Sequence, residues 1–408
     1  MQNDLIHEIQ LDIDYLDFED AVSLVSIPYY VHETIETGKI SNFMGSNSNL
    51  QAVAIVDNDM VVKGMFTRQQ LLKLLSRPHG EALIQRRPIT HFNTEKLVNF
   101  HSHDKIMDIS KTLAQEIRES TSSKYFIVVD ESNRFQGIFS SNDILAYMHD
   151  KVEEQSKEIL ASIQYAQFIQ SAILPSKDLF QSFFQDYFIY WEPKDIVGGD
   201  FYWFHESEEH ILLAVIDCTG HGVPGAFMTM ISNAILNRIV EHINHEDPAT
   251  IIQNLNQLVQ ETLKHGQGEN LSHDGLEIGL CVIPKNKNHL VFSGSKFILI
   301  YSKDQEIVEI KGDKQSVGYQ SSKLDYQYTN HVINLSGNEI FYLSSDGYFS
   351  QMGENMKRQI GRKPIVHTLK HFSERALNEQ QKKLQNILKE YQGNESQRDD
   401  ITIIGFRI

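Results

Sequence analysis

Val197-Gly198-Gly199-Asp200-Phe201-Tyr202, followed by Ile211-Leu212-Leu213-Ala214-Val215-Ile216-Asp217-Cys218-Thr219-Gly220-His221-Gly222, reads as two short strands, each with an aspartate at one end. Residues 201–204 and 211–216 are β-branched, aliphatic and aromatic, and the polar run 205–209 separates them. The apolar run 212–216 calls for a buried strand, so Asp217 is expected to emerge at the sheet edge. Gly220 and Gly222 permit a tight loop there. Pro224 suits the first turn of a helix that its apolar residues carry to about Ile239. Two carboxylates brought to one sheet edge by adjacent strands make a site for a hard cation, because magnesium and manganese prefer oxygen ligands. Such a pair also serves simply to cap a helix or bind a turn.

The C-terminal third adds to the pattern. Residues 340–347, Ile-Phe-Tyr-Leu-Ser-Ser-Asp-Gly, form another strand ending in Asp346-Gly347. Residues 397–406 place Asp399 and Asp400 just before a final strand. Four acidic strand ends, far apart in sequence, can converge on one binuclear centre.

The order Gly-Gly-Asp-Phe, Asp-x-x-Gly-His-Gly, Ser-Asp-Gly and Asp-Asp-Ile-Thr resembles the metal-dependent protein serine/threonine phosphatases (PPM superfamily), in their bacterial SpoIIE/RsbU branch. The segments 220–226 and 274–280 look like that branch too, and the resemblance covers roughly residues 176–408. It implies an α+β fold, an α-β-β-α layered sandwich, and hydrolysis of phosphoserine or phosphothreonine with two manganese or magnesium ions. Two divalent ions roughly 4 Å apart lower the pKa of a bridging water and hold a phosphoryl group for in-line attack. By the same resemblance Asp217 bridges both ions, and the backbone carbonyl of Cys218 is a further ligand. Asp200 lies near the first ion or its waters, while Asp346 and Asp399 hold the second, with Asp400 ranked below Asp399. Lys194 is a candidate to orient the phosphate, or a solvated loop lysine; His221 receives no ligand role. The implied partner is a phosphorylated signalling protein, such as an anti-sigma-factor antagonist with a STAS domain.

Composition bounds the rest. The chain of 408 residues is long enough for two domains and a linker. A net charge of −17 argues against a nucleic-acid partner. Cys218 and Cys281 do not make a disulfide framework and suit a reducing cytoplasm, with Cys218 read as buried filler. The first residues lack the basic-then-apolar pattern of a signal peptide, and no run reaches the roughly 18 apolar residues of a membrane span. A soluble, cytoplasmic protein is expected.

Residues 1–20 read as an acidic tail or a first helix. Residues 21–148 contain a near-repeat. Strands at 52–57 and 61–67 form a hairpin followed by a helix at 70–75; strands at 125–130 and 135–140 repeat the plan, with a helix at 142–148. An amphipathic stretch at 106–117 precedes the second hairpin. The unit 1–148 resembles a tandem CBS module, whose halves bind adenine nucleotides at Gly-x-x-Ser/Thr-x-x-Asp. The second half keeps that signature as Gly137, Ser140 and Asp143. The first has Gly64 and Thr67 but Gln70 in place of the aspartate, which puts its site in doubt. A ligand-free structural module is the other reading.

In the linker 149–175, Val152, Ile159, Ala166 and Ile173 recur every seven residues, which makes an amphipathic helix, ended by Pro175. It is either a short parallel coiled coil, giving a homodimer, or a helix packed on its own domain. Residues 248–264 read as a helix, 276–283, 289–293, 297–301 and 306–310 as strands, and 365–391 as a last helix. The segment 241–247 holds two histidines but not His-Glu-x-x-His, so a zinc site is not expected. Gly198-Gly199-Asp200-Phe201 superficially resembles a diguanylate cyclase signature, but the acid needed before Phe is missing. An inactive phosphatase fold used as a binding module would typically have lost an aspartate, and here all four are present.

Overall fold

Continuous apolar runs at 52–56 and 125–129 set both N-terminal hairpins, and the computed structural model shows how they are built upon. It describes residues 6–11, 17–92, 97–119, 124–243, 246–264, 274–303, 306–337, 339–355 and 357–408. Two compact units divide the chain, Met1–Glu158 and Ile159–Ile408.

The first unit opens with β1 (His7–Glu8), where a tail or helix was expected. Then follow β2 (Tyr29–His32), α1 (Thr37–Ser46), β3 (Ala52–Val56), β4 (Val62–Thr67), α2 (Arg68–Leu75) and α3 (Gly80–Ile84). The second half repeats the plan with β5 (Asn99–His101), α4 (Ile106–Glu119), β6 (Tyr125–Val129), β7 (Phe135–Ser140) and α5 (Ser141–Ile173). In each half a parallel pair adjoins an antiparallel hairpin, and the hairpin register shifts at the same place, at Ile55/Val56 and Val128/Val129. Even the turns match. Asp57 Oδ1 accepts from the amides of Asp59 and Val61, as Asp130 Oδ1 does from Ser132 and Arg134. Neither half is complete alone, since Ala52, Ala54 and Val56 share one buried cluster with Ile127, Val129, Phe135 and Ile138. The helix expected at 142–148 and the one expected at 149–175 are a single element, because no glycine or proline interrupts residues 141–173.

The second unit continues with α6 (Lys177–Phe183), β8 (Asp186–Glu192), β9 (Asp200–Glu206), β10 (His210–Cys218), α7 (Gly222–Val240) and α8 (Pro248–Lys264). Six strands come next: β11 (Leu276–Pro284), β12 (His289–Ser295), β13 (Ile298–Lys303), β14 (Glu306–Lys311), β15 (His331–Asn334) and β16 (Ile340–Ser344). The chain closes with α9 (Gly347–Ser350), α10 (Lys363–Phe372), α11 (Leu377–Gln392) and β17 (Ile401–Arg407). The single helix expected over 365–391 is thus two. The Asp186 carboxylate accepts from the Leu377 amide at 3.1 Å and starts the second one.

Two five-stranded antiparallel sheets form, in the orders β15-β12-β11-β10-β9 and β14-β13-β16-β17-β8. Leu213, Val215, Cys281 and Phe292 of the first meet Leu299, Phe341, Ile404 and Phe406 of the second in the middle layer. On the outer faces α7 and α8 cover Phe201, Trp203, Leu212 and Ala214, while α10 and α11 cover Tyr342, Ile401 and Ile403. The architecture is an α-β-β-α sandwich. No helix among the described residues is long and apolar enough to cross a membrane.

Candidate functional site

Period two decides which side chains meet. On β10, Leu212, Ala214, Ile216 and Cys218 pack toward the helices and Ile211, Leu213 and Val215 toward the other sheet. Asp217 continues the inner series. Asp200 on β9 and Glu277 on β11 stand directly opposite Asp217 in the two ladders, so three carboxylates line up across three strands on the inner face. In the facing sheet, Ile404 and Phe406 of β17 point inward, which puts Asp400 and Thr402 on that face too. Asp346 follows β16 at the start of α9.

The charges feel one another. Burial pushes the Asp217 carboxyl well above the usual aspartate range, and the charges of Asp346, Asp399, Glu277 and Asp400 push it further. Asp200 is raised by burial and then by Asp217, against the pull of the Ser345 and Thr402 hydroxyls. Asp346 is raised by burial, Asp399 and Glu277, with Arg398 opposing. Asp200 is 2% exposed, and its Oδ2 is buried without a hydrogen-bond partner. A buried carboxylate oxygen left bare among like charges is the arrangement a cation resolves.

Asp400 has a different task. Burial raises its carboxyl too, while the amides that bond it hold it down. Its Oδ1 accepts from the Lys194 amide at 2.7 Å and its Oδ2 from the Gly199 amide at 2.6 Å, so it clamps the loop ahead of Asp200. Its own amide donates to Asp399 Oδ1 at 3.0 Å, and Asp399 itself lies exposed. Lys194 is thereby tied to the cluster through its backbone; its side chain is half-buried. The Cys218 carbonyl lies beside Gly199, 2.7 Å from where a Cβ would stand. The Cys218 thiol, pushed up by burial, sits among core residues 3.9 Å from Ser232 Oγ. Gly220 and Gly222 take φ of +86° and +66°, and between them His221 Nδ1 lies 2.6 Å from Asp195 Oδ2, lashing this turn to the Lys194–Asp195 loop.

Three participants escaped the sequence reading. Glu277 belongs to the row. Lys296, held in the left-handed region at φ 53°, places its ammonium 2.8 Å from Glu277 Oε1. Gln170 lies buried behind Gly198. Strand register against Asp217 was the available signal for Glu277; the other two had none. Among the described residues, the one group with three ligand atoms mutually within 4.8 Å is Glu209, His210 and Glu246, at the other end of β10 from Asp217. Residues 244–245, within the segment considered for zinc, lie outside the described residues.

The N-terminal signature residues are engaged internally. Asp143 Oδ2 accepts from the Ser140 amide and hydroxyl, both at 2.6 Å, and from Ser26 Oγ at 2.8 Å. Thr67 and Gln70 make the equivalent reciprocal cap on α2, which is why Gln70 serves the fold as well as an acid would. Gly137 stands at φ +154° against Val25.

The stage II sporulation protein E (SpoIIE) family model matches residues 207–408, and the CBS domain model matches residues 89–150. The SiaA-PP2C domain of Pseudomonas aeruginosa is 35% identical, over 62% of this chain and 98% of that one, with a TM-score of 0.57. The chain belongs to the PP2C-type phosphatase family. The PP2C phosphatase domain with a regulatory fragment of SpoIIE from Bacillus subtilis is 15% identical, covering 55% of this chain and 63% of that one, TM-score 0.44. The serine/threonine phosphatase of S. agalactiae is also 15% identical, covering 54% and 99%, TM-score 0.41. A comparison with curated proteins found no match.

The raised carboxyls of this PP2C-type site carry a pH signature. Free of cations, the folded protein keeps protons on Asp200, Asp217 and Asp346 that the unfolded chain, with aspartates near 3.8, has released. The stability this contributes is complete below the unfolded value and is lost as pH rises through the raised folded values. Carboxylates held low, such as Asp20, Asp57 and Glu339, act below that window. In EDTA the melting temperature is therefore expected to fall as pH rises above the ordinary aspartate value of 3.8 and through the raised folded ones, and manganese to cancel the fall. A melting temperature in EDTA that stays flat or rises over that range would contradict the assignment.

Proposed function

We propose that this protein is a phosphoserine/phosphothreonine protein phosphatase dependent on two manganese or magnesium ions, acting in bacterial cytoplasmic signalling. The row Asp200–Asp217–Glu277, with a buried, unpartnered Asp200 oxygen, carries the reading. An all-oxygen donor set suits these cations, which bind few carboxylates and keep several waters. Asp217 is the residue proposed to be shared by both ions, with Asp200, the Cys218 carbonyl, Asp346 and Asp399 as the other holders. When bound, such ions lower the pKa of a bound water and offset phosphoryl charge. The chain's own groups do the rest. Asp400 fixes the loop before Asp200, the His221–Asp195 contact fixes the turn after Asp217, Lys296 brings positive charge beside Glu277, and Lys194 is the residue proposed to orient the phosphate. A metal requirement tests this directly. Hydrolysis of para-nitrophenyl phosphate and of a phosphoserine peptide is expected with Mn²⁺ and absent in EDTA; equal turnover in EDTA would overturn it.

The substrate class proposed is a small phosphorylated signalling protein, such as a STAS-domain anti-sigma-factor antagonist. The domain division proposed is 1–148 for a CBS-pair regulatory unit, 149–175 for a helical linker and 176–408 for the phosphatase. A homodimer through α5 is supported by Val152 and Ile159, spaced a heptad apart and 56% and 61% exposed. Gly137, Ser140 and Asp143 are the residues proposed for an adenine nucleotide. ATP, ADP or AMP should raise the melting temperature of the wild type but not of Asp143→Ala, whose own stability drops by about 1 kcal/mol through the lost cap. No shift with any of the three would leave the module purely structural.

A further inference from the structure

One buried amide side chain joins three segments behind the carboxylate row. Gln170, on α5, is 1% exposed. Its Nε2 donates to the Gly198 carbonyl at 2.6 Å and to Thr229 Oγ1 on α7 at 3.1 Å. Its Oε1 accepts from the Gly198 amide at 3.2 Å. Both backbone polar groups of one glycine, two residues before Asp200, thus end on a single side chain. Buried amides and carbonyls need partners, and Gln170 supplies both here.

The bonds continue into the site. The next amide, of Gly199, donates to Asp400 Oδ2. Thr229 Oγ1 donates to the Ala226 carbonyl at 2.7 Å, in the helix that follows the Asp217 loop. Beside it, Gly225 packs so closely that a Cβ there would come within 2.8 Å of the Gly199 Cα. Gln170 therefore grips the segment entering Asp200 and the helix leaving Asp217 at once.

We infer that Gln170 is the positioning residue by which helix α5 holds the carboxylate centre in register. This rests on the reading of that centre as a metal site. Hydrogen bonds of this kind weaken steeply with stretch and misalignment, so the glutamine fixes the Gly198–Asp200 backbone against α7 only in its present place. Because α5 starts at Ser141, directly after the second CBS-type hairpin, the same residue lies on the element that leaves that module.

The test is Mn²⁺ binding to the full-length chain by isothermal titration calorimetry, with the melting temperature in EDTA recorded alongside. Gln170→Met keeps the volume and removes all three bonds. Gln260→Met is the control, since Gln260 is an equally buried amide, 2% exposed and bonded to the Ser322 carbonyl at 2.9 Å. Gln170→Met should lose about 10- to 100-fold in Mn²⁺ affinity, with kcat falling and KM nearly unchanged. Gln260→Met should melt earlier yet bind Mn²⁺ as the wild type does. If Gln170→Met does not fold, Gln170→Glu, which keeps the bond from the Gly198 amide, should show the same loss by a smaller factor. Wild-type affinity in a folded Gln170 variant, or an equal loss in Gln260→Met, would overturn the inference alone. A wild type that takes up no Mn²⁺ would overturn the metal-site reading and this inference with it.

Discussion

Asp217→Asn should cut turnover by about a thousandfold, the equivalent of roughly 4 kcal/mol, while the protein stays folded. The asparagine keeps the shape of the side chain but not its charge, at the point where three carboxylates stand in register. The same change should act on stability with opposite signs in two conditions. In EDTA, at a pH high enough to strip the raised Asp217 carboxyl of its proton, the variant should melt higher than the wild type, because a buried charge pressed by Asp346, Asp399 and Glu277 has been removed. In manganese it should melt lower, because the ligand proposed to link folding to cation binding is gone. Turnover near that of the wild type, or the same melting order in both buffers, would refute the role given to Asp217.

Gly199→Ala is expected to be as damaging by a different route. A Cβ at this position would lie 2.3 Å from the Gly220 carbonyl oxygen and 2.7 Å from that of Cys218. Both are backbone atoms of the loop after Asp217, so no rotamer change relieves the contact. Overpacking of this kind costs about 3 kcal/mol, and here the strain falls on the Cys218 carbonyl itself. Urea unfolding should register the loss, with Mn²⁺ affinity falling in parallel. Gly220→Ala offers the contrast. At φ +86° an alanine is strained, yet nothing lies within 4 Å of its Cβ, so the cost should stay near 1 kcal/mol. Equal damage from the two would mean that the close approach is not what makes Gly199 a glycine.

The four aspartates could be singled out in the sequence because each stands at one end of an apolar strand run, a local signal. The sandwich followed from strands and helices whose periods agree with their final places, as with the helix at 248–264, observed over Pro248–Lys264. What escaped was set by pairing across long distances. Glu277 is an ordinary polar residue in its own strand and becomes part of the centre only through its register with Asp217. Gln170 lies on a helix whose exposed neighbours gave no sign of a buried grip on Gly198. Asp400 ranked behind Asp399 because sequence order cannot tell a carboxylate bonded to backbone amides from one turned to solvent. The break between α10 and α11 depended on Asp186, nearly 200 positions away in the chain. In the N-terminal unit, the Gly-x-x-Thr-x-x-Gln departure looked like a lost ligand site; in the fold it is an intact helix cap.

The two sheets meet like the covers of a book. Toward one end of the shared layer lie the rings of Phe341 and Phe406, stacked with centroids 5.3 Å apart, and Phe184, 4.9 Å from Phe406. At the other end of the same strands stand Asp217, Asp346 and Asp400, which repel. Oil binds the spine and like charge pries at the fore-edge. A divalent cation there would act as a clasp, and the stiffness of the whole sandwich would follow its supply. Amides at 217–218 and 344–346 would then exchange with solvent faster on chelation, while those at 404–407 kept their protection.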